Sequence, residues 1–410
     1  MTEMPARILL LGLGAQGKAA LHDLIVGDAT TRVTVADADP SLFDYVRRYP
    51  EARVTARRLD AADAAGVASL MREADVVIEA LPGPFALAMG RLAAECGVSL
   101  ASSMYYRDPQ ERDATRVAEA ERMIAEVDRA AKARGATILT EFGLDPGLDL
   151  VMGVRALAEV DEVLEFHAYG AGLPAVGARD NPLRYKFSWS PIGVMRSYNR
   201  PARIITGGAV QEIAPDALFE PHRYHVLDVP AIGEPLECYP NGDAVHYADL
   251  FGVATSVREM ARYTGRFRGH CALWDAIVKC GFLDAAPVQA GGVMVAPIEM
   301  MAALLASQPR FQYANDEADL TFVRVDVRGI RDGARVRIVY DLIDTRDFAT
   351  GFTSMQRTVG YTLALGARLI LNGALSRRGL VSPLEVPYDL VFPALARHGI
   401  RVTREELPWG

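Results

Sequence analysis

The sequence predicts an α/β fold: an N-terminal Rossmann-type, doubly wound parallel sheet, followed by an α+β domain with a mixed sheet. Three observations predict it. Up to about residue 150, short apolar runs alternate with helical patterns, as strands joined by crossover helices do. A glycine-rich turn, Gly12-Leu13-Gly14-Ala15-Gln16-Gly17, links the first apolar run to the first helical pattern. After about residue 150 the patterns change to period-two strands. At 410 residues the chain exceeds one ordinary core and is expected to form two domains.

The elements follow in order. Arg7 to Gly12 is mainly apolar and ends at glycine, as a buried parallel strand does. A helix is predicted from Gly17 to about Leu24. Strands are predicted over Arg32 to Ala36, Arg53 to Ala56, and Ala74 to Ala80, the last closed by Leu81-Pro82-Gly83. Pro84 suits the start of a helix over Phe85 to Cys96. Val98 to Ser102 is the next strand. A long charged helix is predicted over 107–134, with Val117, Ala120, Ile124, Val127 and Ala131 on one apolar stripe. Ala136 to Thr140 is strand again. Beyond it, Leu164, Phe166 and Ala168 share one strand face. Residues 321–340 read as two strands joined through Arg331-Asp332-Gly333, a hairpin signal. Residues 353–376 read as a helix ending before Gly379.

Composition narrows the function classes. The net charge is −8 and the pI about 5.5, without a Lys/Arg cluster, which argues against nucleic acid and anionic membranes as partners. Cys96, Cys238, Cys271 and Cys280 form no C-x-x-C pair and no zinc-type cluster with histidine, so no metal site is expected. They read as buried free thiols of a reducing compartment. The N-terminal apolar stretch runs straight into the glycine turn and reads as a strand, not a signal peptide. The C-terminal apolar helix is broken by Arg368, short of the roughly 18 apolar residues of a membrane span. A cytoplasmic protein is expected.

The glycine turn has the context of a dinucleotide site. Gly12 permits the tight turn, Gly14 lets backbone approach a pyrophosphate, and Gly17 allows close packing of helix on strand. The amides of Ala15 and Gln16 lie at the helix N-terminus, where phosphate is favoured. The second strand leads into Asp37, which lies 37 − 17 = 20 residues past the last glycine. An acid there accepts hydrogen bonds from ribose hydroxyls and repels a 2′-phosphate, and no arginine directly follows it. NAD is therefore preferred over NADP. Leu81, Pro82 and Ser102 end strands on the edge where ligands bind in open α/β sheets. Each is also explained by ordinary loop chemistry.

Several segments resemble the saccharopine dehydrogenase family. Glu141-Phe142-Gly143-Leu144-Asp145-Pro146-Gly147-Leu148-Asp149 is similar to its E-x-G-L-D-P-G-x-D segment. Gly172-Leu173-Pro174 and residues 180–190 (DNPLRYKFSWS) resemble its G-L-P and D-N-P-L-G-Y-K-F-S-W-S segments. Residues 238–241 (CYPN), 262–270 (RYTGRFRGH) and the 353–376 helix with Arg378-Gly379-Leu380 resemble further motifs, in order. The resemblance implies an NAD-binding Rossmann domain over 1–145 and about 355–395, and a substrate domain over 146–354. It also implies a C-terminal helix returning to the first domain, and a homodimer. The implied activity oxidises a CH–NH bond of an amino-acid-derived amine, as in cleaving saccharopine to an amino acid and an aldehyde.

Carried over by position, Ser103, Asp145 and Arg266 match substrate contacts. Such chemistry needs a group to move protons and cations to hold carboxylates. Asp145 is a candidate for the substrate ammonium and its proton, with helix capping as the alternative. Arg266 is a carboxylate clamp or a surface ion pair. His270 is an acid/base or a structural histidine. Tyr185 and Lys186 contact substrate or anchor their loop. Two positions depart from the family: Gly242 stands where saccharopine reductases carry a substrate-binding arginine, and Met104 where they carry tyrosine. Those departures, with Asp37 and residues 268–271, resemble lysine 6-dehydrogenase-like or carboxynorspermidine-like enzymes. The non-enzyme alternative is a protein that binds NAD as a regulatory ligand.

Overall fold

The computed structural model describes residues 5–107, 111 and 113–409. It divides into two compact units, Met1–Val151 with Gln356–Ile400, and Met152–Met355 with Arg401–Gly410.

The first unit is built on β1 (Arg7–Leu11), β2 (Arg32–Asp37), β3 (Val54–Arg58), β4 (Val76–Glu79), β5 (Ser99–Ser102) and β6 (Thr137–Leu139), with a seventh strand, Gly379–Val381. The order is β3-β2-β1-β4-β5-β6 and then the seventh strand, with every pair parallel. The chain steps outward from β1 to β3 and restarts at β4 on the other side of β1. The carboxyl ends of β1 and β4 therefore flank a topological switch point, where open α/β sheets bind ligands. Leu9, Leu11, Val77 and Leu100 of this sheet pack with residues of α2 (Ala64–Arg72), α3 (Ala86–Cys96) and α4 (Ala114–Arg134).

The helix Ser354–Leu371 returns from far along the chain to α1 (Ala15–Gly27). A Cβ at Gly360 would sit 2.6 Å from the Cβ of Ala19 and from the carbonyl of Gln16, so only glycine allows this approach. Arg368 of the same helix pairs with the buried Asp23 of α1 at 2.5 Å. Three boundaries differ from the sequence expectation. The helix α1 starts earlier, at Ala15, because Gly14 serves as its N-cap. The 3-10 turn Gly83–Phe85 precedes α3. The helix expected from residue 107 starts at Ala114, where the Asp113 side chain accepts from the amides of Thr115 and Arg116. Residues 108–110 and 112 of that expectation lie outside the described residues.

The second unit carries a nine-stranded sheet whose longest strands are β7 (Glu162–Pro174), Asp319–Arg331 and Ala334–Thr345. Glu259–Phe267 pairs parallel to β7 on one side, and Asp319–Arg331 antiparallel on the other. This makes the sheet mixed, as expected. The predicted hairpin forms: Arg331 pairs with Ala334, and Asp332 and Gly333 both take positive φ, 52° and 76°, which a two-residue turn of this hand requires. A second hairpin, Ala202–Thr206 with Ala209–Ile213, turns through Gly207 and Gly208. It was not anticipated, although a Gly-Gly pair between two short, partly apolar runs is its signal.

The cysteine expectation needs correcting. Cys238 and Cys271 are buried free thiols, but Cys280 is exposed and Cys96 half-buried. Cys280 follows the last residue of the helix His270–Lys279, beyond the core that holds Cys271. Among the described residues, no helix is long and apolar enough to cross a membrane.

Candidate functional site

In the first unit, the turns at the carboxyl ends of β1, β2, β4, β5 and β6 assemble one rim. A Cβ at Gly17 would meet the Gly12 carbonyl oxygen at 2.1 Å, and one at Gly12 (φ +92°) the Ala80 carbonyl oxygen at 2.5 Å. Both glycines are therefore required. A Cβ at Gly14 would meet nothing within 4 Å. Gly14 and Ala15 are exposed, and no side chain caps the N-terminus of α1. A tight turn with an open backbone face at the start of a 13-residue helix fits a pyrophosphate.

Asp37 is fixed at the end of β2. Its carboxylate accepts the Leu13 amide at 2.7 Å and the Asp39 amide at 2.9 Å, which ties the glycine turn to the β2 turn. The parallel register places Arg58 of β3 opposite Asp37, and both Arg57 and Arg58 are exposed. These cations stand about 20 positions from the acid in sequence, so inspecting the residues that directly follow Asp37 misses them.

Leu81 is half-buried and Pro82 exposed at the end of β4. Ser102 is wholly buried. Its hydroxyl donates to Glu79 at 2.5 Å and accepts the Met104 amide at 3.0 Å. Ser103, next to it, packs against the segment after β6, since a Cβ at Gly143 would lie 2.9 Å from the Ser103 Cβ. In that segment a Cβ at Gly147 (φ +140°) would meet the Gly143 carbonyl oxygen at 2.2 Å, so glycine is again required. Asp145 is exposed at the crest of this turn. The Gly147 amide at the start of α5 (Leu148–Leu157) is taken by Asp149 at 2.8 Å.

Sequence reasoning overlooked Glu79. It is the last residue of β4 and is fully buried. Burial pushes its carboxyl up to about 7, against the hydrogen bonds from Ser102 and Leu81, which favour the charged form. The signal was an acid inside the otherwise apolar run Val76-Val77-Ile78-Glu79.

The second unit holds a buried aromatic box. Arg266 is 5% exposed, and its guanidinium lies 4.8 Å from the Tyr185 ring centre. Its Nε donates to the Tyr198 hydroxyl at 3.3 Å and its Nη1 to the Gly265 carbonyl at 2.9 Å. Among the described residues no carboxylate pairs with it, whereas buried charges are ordinarily paired. His270 stacks on Tyr239, with centroids 5.8 Å apart and planes 9° from parallel, and its buried Nε2 has no hydrogen-bond partner. Burial, reinforced by the charge of Arg266, holds its pKa well below the ordinary histidine value, so the ring is neutral. Lys186 gives its Nζ to both oxygens of Glu317, at 2.5 and 2.6 Å.

Position 242 is informative. Gly242 has φ +72°, and a Cβ there would lie 3.8 Å from Nη2 of Arg200. The buried Nε of Arg200 has no partner. A guanidinium from the loop after the helix Pro191–Tyr198 thus stands beside the glycine where the family resemblance leads one to look for an arginine.

Fold and rim together define a two-unit protein whose first unit is a Rossmann-type dinucleotide-binding sheet. Residues 8–139 match the family model of the saccharopine dehydrogenase NADP binding domain and residues 143–400 that of the saccharopine dehydrogenase C-terminal domain, and the chain belongs to this family. It is 24% identical over 442 residues to saccharopine dehydrogenase [NADP(+), L-glutamate-forming] of Saccharomyces cerevisiae, covering 93% of this chain and 94% of that protein. It is 25% identical over 415 residues to the alpha-aminoadipic semialdehyde synthase of Arabidopsis thaliana, covering 83% of this chain but only 37% of that protein. The chain thus spans little more than a third of such longer relatives. The apo L-Glu-forming saccharopine dehydrogenase structure from S. cerevisiae shares the fold, with a TM-score of 0.81 at 22% identity over 98% of this chain and 100% of that one. The homospermidine synthase of Legionella pneumophila, solved with NAD, does so at TM-score 0.59 and 14% identity, over 98% and 92%.

Proposed function

We propose that the chain is a nicotinamide-dependent oxidoreductase acting on the CH–NH bond of an amino-acid-derived amine, of the saccharopine dehydrogenase type. The observation that carries this is the glycine cradle of Gly12 and Gly17 beneath the open backbone at Gly14, in a chain matched by both domain models of the family. In the reaction, a secondary amine, water and the oxidised cofactor give a primary amine, a carbonyl compound, the reduced cofactor and a proton. A nicotinamide cofactor held by the backbone of Gly14, Ala15 and Gln16 would supply the hydride acceptor.

The chain's own residues do the rest. Gly14, Ala15 and Gln16 offer backbone amides to the pyrophosphate, while Leu81, Pro82 and Ser103 border the site. Asp145, exposed on its turn, binds the substrate ammonium and takes its proton. Arg266 binds a substrate carboxylate, which supplies the counter-charge it lacks, and Arg200 provides a second cation in place of the one absent at Gly242. His270, neutral and aromatic-packed, orients the box instead of carrying charge. The Glu317 ion pair of Lys186 supports an anchoring role for Lys186 and its neighbour Tyr185. Steady-state assays with saccharopine, lysine and carboxynorspermidine test the substrate. A regulatory NAD-binding protein would bind cofactor and turn over none of them.

For the cofactor, Asp37 supports NAD. The names of the domain model and of the yeast relative speak for NADP, and Arg57 and Arg58 beside Asp37 are the cations such a choice would use. Comparing kcat/KM for both cofactors decides between them. A homodimer and a cytoplasmic location complete the reading, the latter supported by four free thiols. Light scattering and cell fractionation test these two.

A further inference from the structure

The Rossmann rim contains an acid that dinucleotide binding does not call for. Glu79 has no solvent exposure. Its Oε1 accepts the Leu81 amide at 2.7 Å and its Oε2 the Ser102 hydroxyl at 2.5 Å. The same Ser102 oxygen accepts the Met104 amide at 3.0 Å. The Ser102 carbonyl accepts the Phe142 amide at 2.9 Å, and the Met104 carbonyl the Glu141 amide at 3.3 Å. On its other side, the Ala80 carbonyl is where a Cβ at Gly12 would collide. One buried carboxyl group therefore joins the turns after β4 and β5, which in turn hold the segment after β6 and abut the glycine turn after β1.

We infer that Glu79 is a positioning residue: it holds the β4 and β5 turns in register as the floor of the dinucleotide site, and its protonation state sets how tightly that floor is held. The inference rests on the cofactor reading above. Apolar packing alone would be served better by leucine, since burying a carboxyl group is costly unless its hydrogen bonds are made. What the acid adds is two acceptors aimed at two different turns. Facing it are Ser102 of β5, the Leu81 amide, Leu11 of β1 in register, and Tyr106, whose buried phenol lies over Gly90 of α3 and makes no hydrogen bond. Tyr106 is the titratable group beside it, and its phenol is pushed well above its ordinary value, first by burial and then by the charge of Glu79.

The consequence is directional. Ionised, Glu79 only accepts, and Ser102 donates to it. Protonated, Glu79 must donate, and its ready acceptor is the Ser102 oxygen, so the Ser102 proton has to turn elsewhere. The link between the turns is then remade at the site's floor. Because burial brings the group to about 7, this exchange falls in the neutral range.

The test is fluorescence titration of the full chain with NADH and with NADPH from pH 5.5 to 9. The wild type is expected to lose roughly tenfold in affinity toward the acid end, about one pH-unit equivalent of coupling. Glu79→Gln keeps an acceptor for Leu81 but donates to Ser102 as the protonated acid does, and is expected to bind at the wild type's acid-end level, roughly tenfold more weakly, with a flat profile. Glu79→Leu, which serves packing only, is expected to bind at least tenfold more weakly at every pH. Thermal unfolding of each variant confirms that it is folded. Superimposable wild-type and Glu79→Gln profiles, or full affinity in a folded Glu79→Leu, overturn the role of Glu79 alone. Failure of the wild type to bind either dinucleotide at any pH overturns the cofactor reading itself.

Discussion

The two sheets handle charge in opposite ways. The inner strands of the first unit's parallel sheet are mainly apolar and place polar groups at their carboxyl ends, at Asp37, Glu79 and Ser102. The mixed sheet of the second unit carries charge in mid-strand: Arg324 pairs with Asp341 at 2.6 Å, Arg337 with Asp326 at 2.7 Å and Arg328 with Glu165 at 3.1 Å. A parallel sheet is covered on both faces, so its strand interiors exclude charge, and only the ends, released from packing, are free for chemistry. Antiparallel pairing sets side chains directly opposite one another, so a buried charge can meet its partner across the ladder. In the first sheet, the charges at the strand ends line the rim. In the second, mid-strand charge is structural when paired, and Arg266 stands out because it is not.

The strongest way to break this comparison is to unpair the second sheet. Asp326 is 3% exposed. Asp326→Ala leaves Arg337 without its partner and is expected to cost about 3 kcal/mol, read from denaturant unfolding. A loss under about 0.5 kcal/mol would show that the mid-strand pairs are ornamental.

The next effect sharpens it through pH. Glu79 titrates near 7 when folded and near 4.5 when unfolded. Between those values the folded chain holds a proton the unfolded chain has lost, so its contribution to stability falls as pH rises from 4.5 to 7. His167 of β7 is pushed down to about 4 by burial, from 6.5. There the unfolded chain holds the extra proton, so stability falls as pH drops from 6.5 to 4. Each difference corresponds to at most about 3 kcal/mol. Glu79→Gln is expected to remove the first slope and His167→Gln the second, in pH-dependent denaturation. Slopes of the same sign would contradict the assignment.

Two functional variants carry smaller effects. Arg266→Ala is expected to raise KM for a carboxylate substrate by roughly 10- to 100-fold, the worth of a charged hydrogen-bonded contact, without rescue by Arg266→Lys. Arg200→Ala is expected to raise it less, since that side chain is less enclosed. An unchanged KM in both would place substrate binding elsewhere. The smallest change is in cofactor choice: Asp37→Ser is expected to shift the NAD/NADP preference several-fold toward NADP by removing the charge facing a 2′-phosphate. Unchanged preference would shift the choice to Arg57 and Arg58.

Part of this was legible in the residues. The glycine turn, the acid 20 positions later and the Asp332-Gly333 hairpin are local signals, each a requirement of backbone conformation over a few consecutive residues. The strands over 202–213 were not recognised, because they are short and partly polar. Glu79 stood in plain view but read only as part of the strand over Ala74 to Ala80. Its meaning depends on Ser102, 23 positions away, and on the Leu81 amide turning back to meet it.

By itself, then, the sequence determined the class of fold, the cradle for a dinucleotide and the family, since these depend on short-range spacing and on motifs kept in order. Only the tertiary structure decided which cations stand beside Asp37, that Ser102 serves Glu79 through its hydroxyl, that Arg200 lies next to Gly242, and that Arg266 lacks a counter-charge. The reason is that strand register and burial bring together residues far apart in the chain. Whether a charged group is paired, stranded or neutralised is a property of that enclosure and not of its sequence neighbours.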